Sequence, residues 1–391
     1  MLSQVERMLG SSRMDVQIQL REPAVYSNED EISGHVILTA AAQLDISTVE
    51  VKLSGSAVSR LDSRRSTESH QLFKISDQIF PPEKCATSFT SRAVTVPPGE
   101  HSFAFSIRFP QASQCYGASS APFPSRRIAS RQTHLLRRLP PSSGTRTTPE
   151  EIKYTLEAIV RQTGIISGTH RTIREIHLHR LSTTILPLEG QNSLTGRKRI
   201  VCADALSYDV NASLLHGPFL LSGHPIPLAV DITPSNLGAS GSNDAICLQD
   251  FQSMVYEITE VRVRGRVETH TRPCIVQTMS NLRLPVPGPQ DLGDLGTTKM
   301  IVDSALWERH DIPSCLTPTF ETCNVSRSYR LEIRLGFGFG RSVRIVEFQF
   351  PVYIVSLSAP ALSESTGSLR ASEESAPDYC EKEIYGEAEF V

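Results

Sequence analysis

The sequence predicts an all-β protein built as two antiparallel β-sandwiches. Three observations carry that expectation. Apolar residues recur at period two in many separate runs, turn-forming residues separate the runs, and only Leu2–Leu9 resembles a helical stripe. In a strand, residues i and i+2 share a face, so each run reads as a half-buried strand with one wet side. Many strands without crossover helices argue against a parallel α/β sheet and for paired sheets that bury facing apolar sides.

Taken in order, Val16, Ile18 and Leu20 alternate with Gln17 and Gln19, and Val49, Val51 and Leu53 alternate with Glu50 and Lys52. Phe103, Phe105, Ile107 and Phe109 form the next run, and Tyr154, Leu156, Ala158 and Val160 follow. In the second half Val261, Val263 and Val267 oppose Arg262, Arg264 and Arg266, a basic row expected on one strand face. Tyr329, Leu331, Ile333 and Leu335 then oppose Arg330, Glu332 and Arg334, and Val346, Phe348 and Phe350 oppose Glu347 and Gln349. Asn28-Glu29-Asp30, Pro97-Pro98-Gly99, Ser222-Gly223 and Gly288-Pro289 supply turns. Gly336-Phe337-Gly338-Phe339-Gly340 reads as a glycine-rich hairpin or bulge.

The strand pattern breaks over 111–146 and again over 182–204, where Arg197-Lys198-Arg199 forms a basic cluster. Alternation resumes at Tyr154, so the first break is a long loop inside one domain. This places a first sandwich at 14–188, a linker at 189–209, a second sandwich at 210–358 and a disordered acidic tail at 359–391. Residues 361–391 hold eight acidic and two basic residues and few apolar ones. Such a segment buries too little surface to offset its ordering entropy.

A chain of 391 residues is long enough for two cores. Its net charge of −3 argues against a general polyanion binder, and nucleic acid is not expected. No apolar run approaches the roughly 18 residues of a membrane span, and Glu6 and Arg7 interrupt Met1–Gly10, which does not read as a signal peptide. The eight cysteines are scattered without a CxxC pair, as expected for thiols in a reducing cytosol, where the sequons at Asn211 and Asn324 stay unused.

Catalytic patterns are weak. No GxxxxGK[ST], HExxH or GxSxG pattern occurs, and His177 and His179 have no third ligand at a metal-binding spacing. Glu150-Glu151 reads as a pair of solvated loop carboxylates. The expectation is a non-catalytic binding protein with no cofactor and no metal. A hydrolase on a β scaffold is the remaining enzymatic alternative, because triads are spatial rather than sequential.

The sharpest local feature is the 111–146 loop, which carries Arg126, Arg127, Arg131, Arg137, Arg138 and Arg146 and no acidic residue. Guanidinium forks pair well with carboxylate and phosphate. The loop reads either as a dock for acidic or phosphorylated peptide or anionic lipid headgroups, or as a solvated insert. Arg262, Arg264 and Arg266 either extend that dock into the second domain or form the wet face of a charge-protected strand.

Several stretches also follow a known order. Val25-Tyr26-Ser27-Asn28-Glu29-Asp30-Glu31-Ile32-Ser33-Gly34-His35-Val36 comes first, with Asn28 where Gly is usual, followed by Val49–Gly55 and Val96–Pro110. Leu139-Pro140-Pro141-Ser142-Ser143, Ile152–Ala158, Leu221–Leu228 and Ile312–Leu331 complete the series. Together these resemble the arrestin family, in particular the α-arrestins (arrestin-related trafficking adaptors) of the fungal type, over roughly residues 14–357.

The resemblance implies an arrestin fold and a cytoplasmic adaptor recruited peripherally to plasma membrane or endosomes. It implies cargo in the cytoplasmic segments of membrane transporters or receptors, with anionic phospholipid as a further partner. It also implies a HECT-type ubiquitin ligase that reads a Pro-Pro-x-Tyr motif through WW domains. That motif is absent here; Pro377-Asp378-Tyr379 is a degenerate form with Ala376 in place of the first proline. Weak WW binding, use of a partner arrestin and a ligase-independent scaffold in trafficking or signalling all follow from that departure.

Overall fold

The computed structural model describes residues 14–21, 25–27, 30–64, 66–81, 93–113, 137–163, 168–179, 193–201, 207–235, 246–286, 300–339 and 342–356. These residues are almost entirely β, arranged as two sandwiches within one compact unit. The helical stripe Leu2–Leu9, the Gly288-Pro289 turn and the 359–391 tail lie outside the described residues.

In the first sandwich, Met14–Leu20, Glu31–Ala40 and Gly99–Arg108 form an antiparallel three-stranded sheet. It faces a seven-stranded sheet whose main path runs Val25–Tyr26, Gly168–Leu178, Glu150–Thr163, Leu44–Leu61, Ser66–Phe80. The Leu44–Leu61 strand shows how sequence sets the register. Leu44 and Ile46 point inward, then Ser47 and Thr48 both sit half-buried, and from Val49 every second residue is buried again. The pairing with Glu150–Thr163 slips at that point, so a β-bulge absorbs one residue and restores the apolar phase.

Tyr154 anchors this core. Its ring is fully buried, 5.9 Å from Phe73 and 5.7 Å from Phe109. Gly55 makes room for the ring pair, since a Cβ there would lie 2.7 Å from Tyr154 and 2.8 Å from Phe73. The phenol donates a 2.6 Å hydrogen bond to the carbonyl of Pro140, tying the Leu139–Ser143 stretch to the core. Burial raises the pKa of the phenol well above the ordinary tyrosine value.

The second sandwich repeats the plan. Leu194–Val201, Ser207–Leu214, Leu228–Pro234 and Met300–Ile301 make a four-stranded sheet. It faces a seven-stranded sheet with the path Phe219–Leu221, Ser342–Val355, Val325–Phe339, Cys247–Val263, Arg266–Met279. In both large sheets a short edge strand pairs in parallel and the rest pair antiparallel. Tyr329, like Tyr154, is the fifth residue of its strand, and its phenol donates to the Thr317 carbonyl at 2.5 Å. Trp307 fills the second core, stacked on Phe251 at 5.3 Å and donating through Nε1 to the Leu228 carbonyl at 2.8 Å.

Three expectations need correction. The predicted 189–209 linker contains the strand Leu194–Val201, paired with Ser207–Leu214. Its alternation is faint because only Ile200 is fully buried and Gly196 sits against Phe348. Within the basic cluster there, Arg197 and Arg199 both hold the buried Asp209 carboxylate, at 2.5 and 3.0 Å. With Ser235 they keep it below the usual carboxylate range.

The 111–146 loop is not wholly without strand, since Ala112–Ser113 pairs with Arg137–Arg138 and Ser143–Gly144 with Glu151–Ile152. The glycine-rich stretch reads as expected: Gly336–Phe339 ends a strand that pairs antiparallel, as a hairpin, with Ser342–Val355, Phe339 opposite Ser342. The register shift lies across from it, between Leu248 and Asp250, and the two glycines leave space for Gln249 and Asp250. Arg262, Arg264 and Arg266 do not share a strand, because Arg264-Gly265 is a two-residue turn at φ 49° and 78° joining Cys247–Val263 to Arg266–Met279.

Replacing Tyr154 with Phe keeps the ring and strands the buried Pro140 carbonyl. A loss of about 1–3 kcal/mol is expected. Chemical denaturation checks it, and an unchanged midpoint would show that the bond adds nothing.

Candidate functional site: the seam between the sandwiches

The core of the first sandwich is not closed by its own residues. Val261, Val263, Phe320 and Val325 of the second sandwich belong to the same buried cluster as Leu61, Ile152 and Tyr154. The ends of Leu44–Leu61 and Cys247–Val263 therefore meet at an apolar seam, and polar groups sort around it.

At its centre Asn324 is almost fully buried. Its amide donates to the Ala57 carbonyl at 3.0 Å and to Ser59 Oγ at 3.1 Å. Ser59 Oγ in turn donates to the Arg262 carbonyl at 2.7 Å. These bonds satisfy strand-end groups that would otherwise be buried without partners.

Arg327 crosses the seam. Its guanidinium pairs with Glu150 of the first sandwich, both side chains being only 6% exposed. It also lies 3.7 Å from Glu257, donates to Thr317 Oγ1 at 3.0 Å and sits over the Phe320 ring at 5.8 Å. The neighbouring Tyr329 phenol is shifted upward, chiefly by burial and then by the Glu257 carboxylate. A buried pair of this kind survives because each charge is matched and hydrogen-bonded.

The rim is made by two hairpin turns. Glu68 accepts the Arg264 N–H at 2.6 Å, and Glu268 accepts the Asp62 and Ser63 N–H groups at 3.0 and 3.3 Å, along with the Ser63 hydroxyl. Partial burial opposes ionisation of Glu68, but the Arg264 N–H and His70 outweigh it and its carboxyl lies below the ordinary glutamate value. Glu268 lies below it too, first through the Ser63 hydroxyl, against some desolvation, and then through the two amides. Both are therefore acceptors at neutral pH.

Of the residues singled out in the sequence, Arg126, Arg127, Arg131, Pro377 and Tyr379 lie outside the described residues. Arg137, Arg262, Arg264 and Arg266 reach the seam or its border. Arg137 pairs with Glu321 of the second sandwich at 2.6 Å, and Arg138 beside it is exposed. Arg262 pairs with Glu260, while Arg264 and Arg266 are exposed at the turn. Arg146 is exposed on the turn between Gly144 and Glu150, and Arg60 secures that turn by donating to the Thr145 and Thr148 carbonyls at 3.1 Å.

Glu150, Asn324, Arg327, Glu68 and Glu268 were not expected here. Glu150-Glu151 opens a strand instead of lying solvated in a loop; Glu151 pairs with Arg60. The available signal was a repeated Glu-x-His, at Glu68-Ser69-His70 and Glu268-Thr269-His270.

The exposed part of this site offers cationic side chains on fixed turns, which suits an acidic partner. A cavity of about 670 Å³ opens elsewhere, in the second sandwich, lined mainly by apolar groups including Leu215, Phe219, Ile301 and Trp307. His177, on the strand Gly168–Leu178, and His179, just past its end, are both exposed. Among the described residues no three His, Cys, Asp or Glu side chains are grouped to hold a metal ion.

Residues 14–176 match the family "Arrestin (or S-antigen), N-terminal domain". The match covers the first sandwich up to the strand Gly168–Leu178 and supports the arrestin family for this part of the chain. No curated protein matches the chain.

Removing Arg327 leaves the Glu150 charge buried and unpaired. Arg327→Ala is expected to cost about 3–5 kcal/mol, and Arg327→Met combined with Glu150→Leu to recover most of it. Equilibrium denaturation compares the two, and a double variant as weak as the single one would show that charge matching is not what Arg327 supplies.

Proposed function

We propose that this chain is an arrestin-like, non-catalytic adaptor that links the cytoplasmic segments of membrane transporters or receptors to a HECT-type ubiquitin ligase. The observation that carries the reading is the arrestin N-terminal domain match, which coincides with a sandwich whose core a second, similarly ordered sandwich completes. In this reading the protein works in the cytoplasm and is recruited peripherally to plasma membrane or endosomes. Its cargo surface comprises Arg137, Arg138, Arg262, Arg264 and Arg266 with the loop arginines Arg126, Arg127 and Arg131, and the same surface accommodates anionic phospholipid. The degenerate Pro377-Asp378-Tyr379 motif is the proposed ligase contact.

The second reading is a ligase-independent scaffold in endosomal trafficking or signalling. The missing Pro-Pro-x-Tyr motif favours it. A pull-down with the WW domains of a HECT ligase separates the two. Capture of the wild type and loss of capture with Tyr379→Ala are expected for the adaptor. Equal capture of both, or of neither, would move the assignment to the scaffold.

A further inference from the structure

The two hairpins that meet at the rim are related by the repeated plan of the sandwiches. In Ser66–Phe80 the third residue is Glu68 and the fifth His70; in Arg266–Met279 the third is Glu268 and the fifth His270. Period-two geometry puts each Glu and His on one face. His70 Nε2 lies 2.7 Å from Glu68, and His270 Nε2 lies 3.9 Å from Glu268. Each carboxylate reaches past its own hairpin to the turn of the other. Glu68 takes the N–H of Arg264, and Glu268 takes the N–H groups of Asp62 and Ser63.

We propose that Glu68 and Glu268 form a reciprocal clasp in which each hairpin holds the other's turn shut. The clasp occupies the accessible edge of the seam: the Glu68 and Glu268 side chains are 26% and 22% exposed, against 6% for Arg327 and Glu150. The buried centre acts as the fixed side and the clasp as the side that opens. Opening it releases three backbone N–H groups at once, those of Asp62, Ser63 and Arg264, and leaves the apolar core of each sandwich in place. The clasp thus governs how the basic turn bearing Arg264 and Arg266 is presented, a regulation of the surface assigned to cargo that stands whether or not a ligase binds.

The geometry makes a crossed prediction for limited trypsin digestion of the full-length protein, because both turns carry arginine. Glu268→Ala, in the second hairpin, is expected to raise cleavage after Arg64 in the first by about tenfold, as expected for losing charge-assisted hydrogen bonds to a local opening. Glu68→Ala is expected to raise cleavage after Arg264 and Arg266. Glu→Gln variants, which keep side-chain length without the charge, are digested alongside and follow the same crossed pattern more weakly. Increased cleavage confined to the mutated hairpin, spread evenly over the chain in both sets, or absent from both turns would overturn the clasp.

Discussion

The Arg327–Glu150 pair and the apolar residues around it are the constraint on which the architecture rests. A sandwich needs both ends of its core covered. Here the end formed by Leu61 and Ile152 is covered by Val261, Val263, Phe320 and Val325, which come from the other half of the chain. Once those groups interlock, any charge between them is removed from water and must be matched. Arg327 and Glu150 meet that requirement across the seam, while Asn324 and Ser59 satisfy the strand-end backbone groups beside them. The sandwiches are joined by packing and charge matching, and their relative placement follows from both.

The repeated plan explains why such a seam arises. Each large sheet has a short parallel edge, three long central strands and a long outer strand. Each has a tyrosine at the fifth position of the equivalent central strand, bonded to a carbonyl in the segment that precedes that strand. Each outer strand begins with a turn followed by Glu-x-His. Two copies of one plan set end to end bring equivalent hairpins together, so the contact is nearly symmetric at the rim. At the centre it is asymmetric, with the cation on one side and its carboxylate partner on the other.

Most strands were readable because burial on one face leaves a period-two trace. Val49–Leu53, Tyr154–Val160, Tyr329–Leu335 and Val346–Phe350 all fall in strands with the expected residues inward. Reading failed where the trace was broken for a local reason. Leu194–Val201 carries three consecutive exposed basic residues, and Arg264 occupies a left-handed turn position that arginine seldom takes. The buried centre of the seam left no trace, and only its rim carried one, the repeated Glu-x-His. Ser59 and Arg262 are 203 residues apart, and Glu150 looks like any loop carboxylate until Arg327 is placed against it. Exposed arginines are visible in a sequence as unmatched charge, whereas a buried pair becomes apparent only when both partners are located in space.

The seam joins the two sandwiches through a shared buried cluster, so their folding is expected to be coupled. Scanning calorimetry of the whole chain tests it most directly. Because each sandwich contributes to the other's buried surface, a single cooperative transition is predicted. Two separate transitions, with the first sandwich melting at the same temperature when residues 193–391 are deleted, would contradict the account.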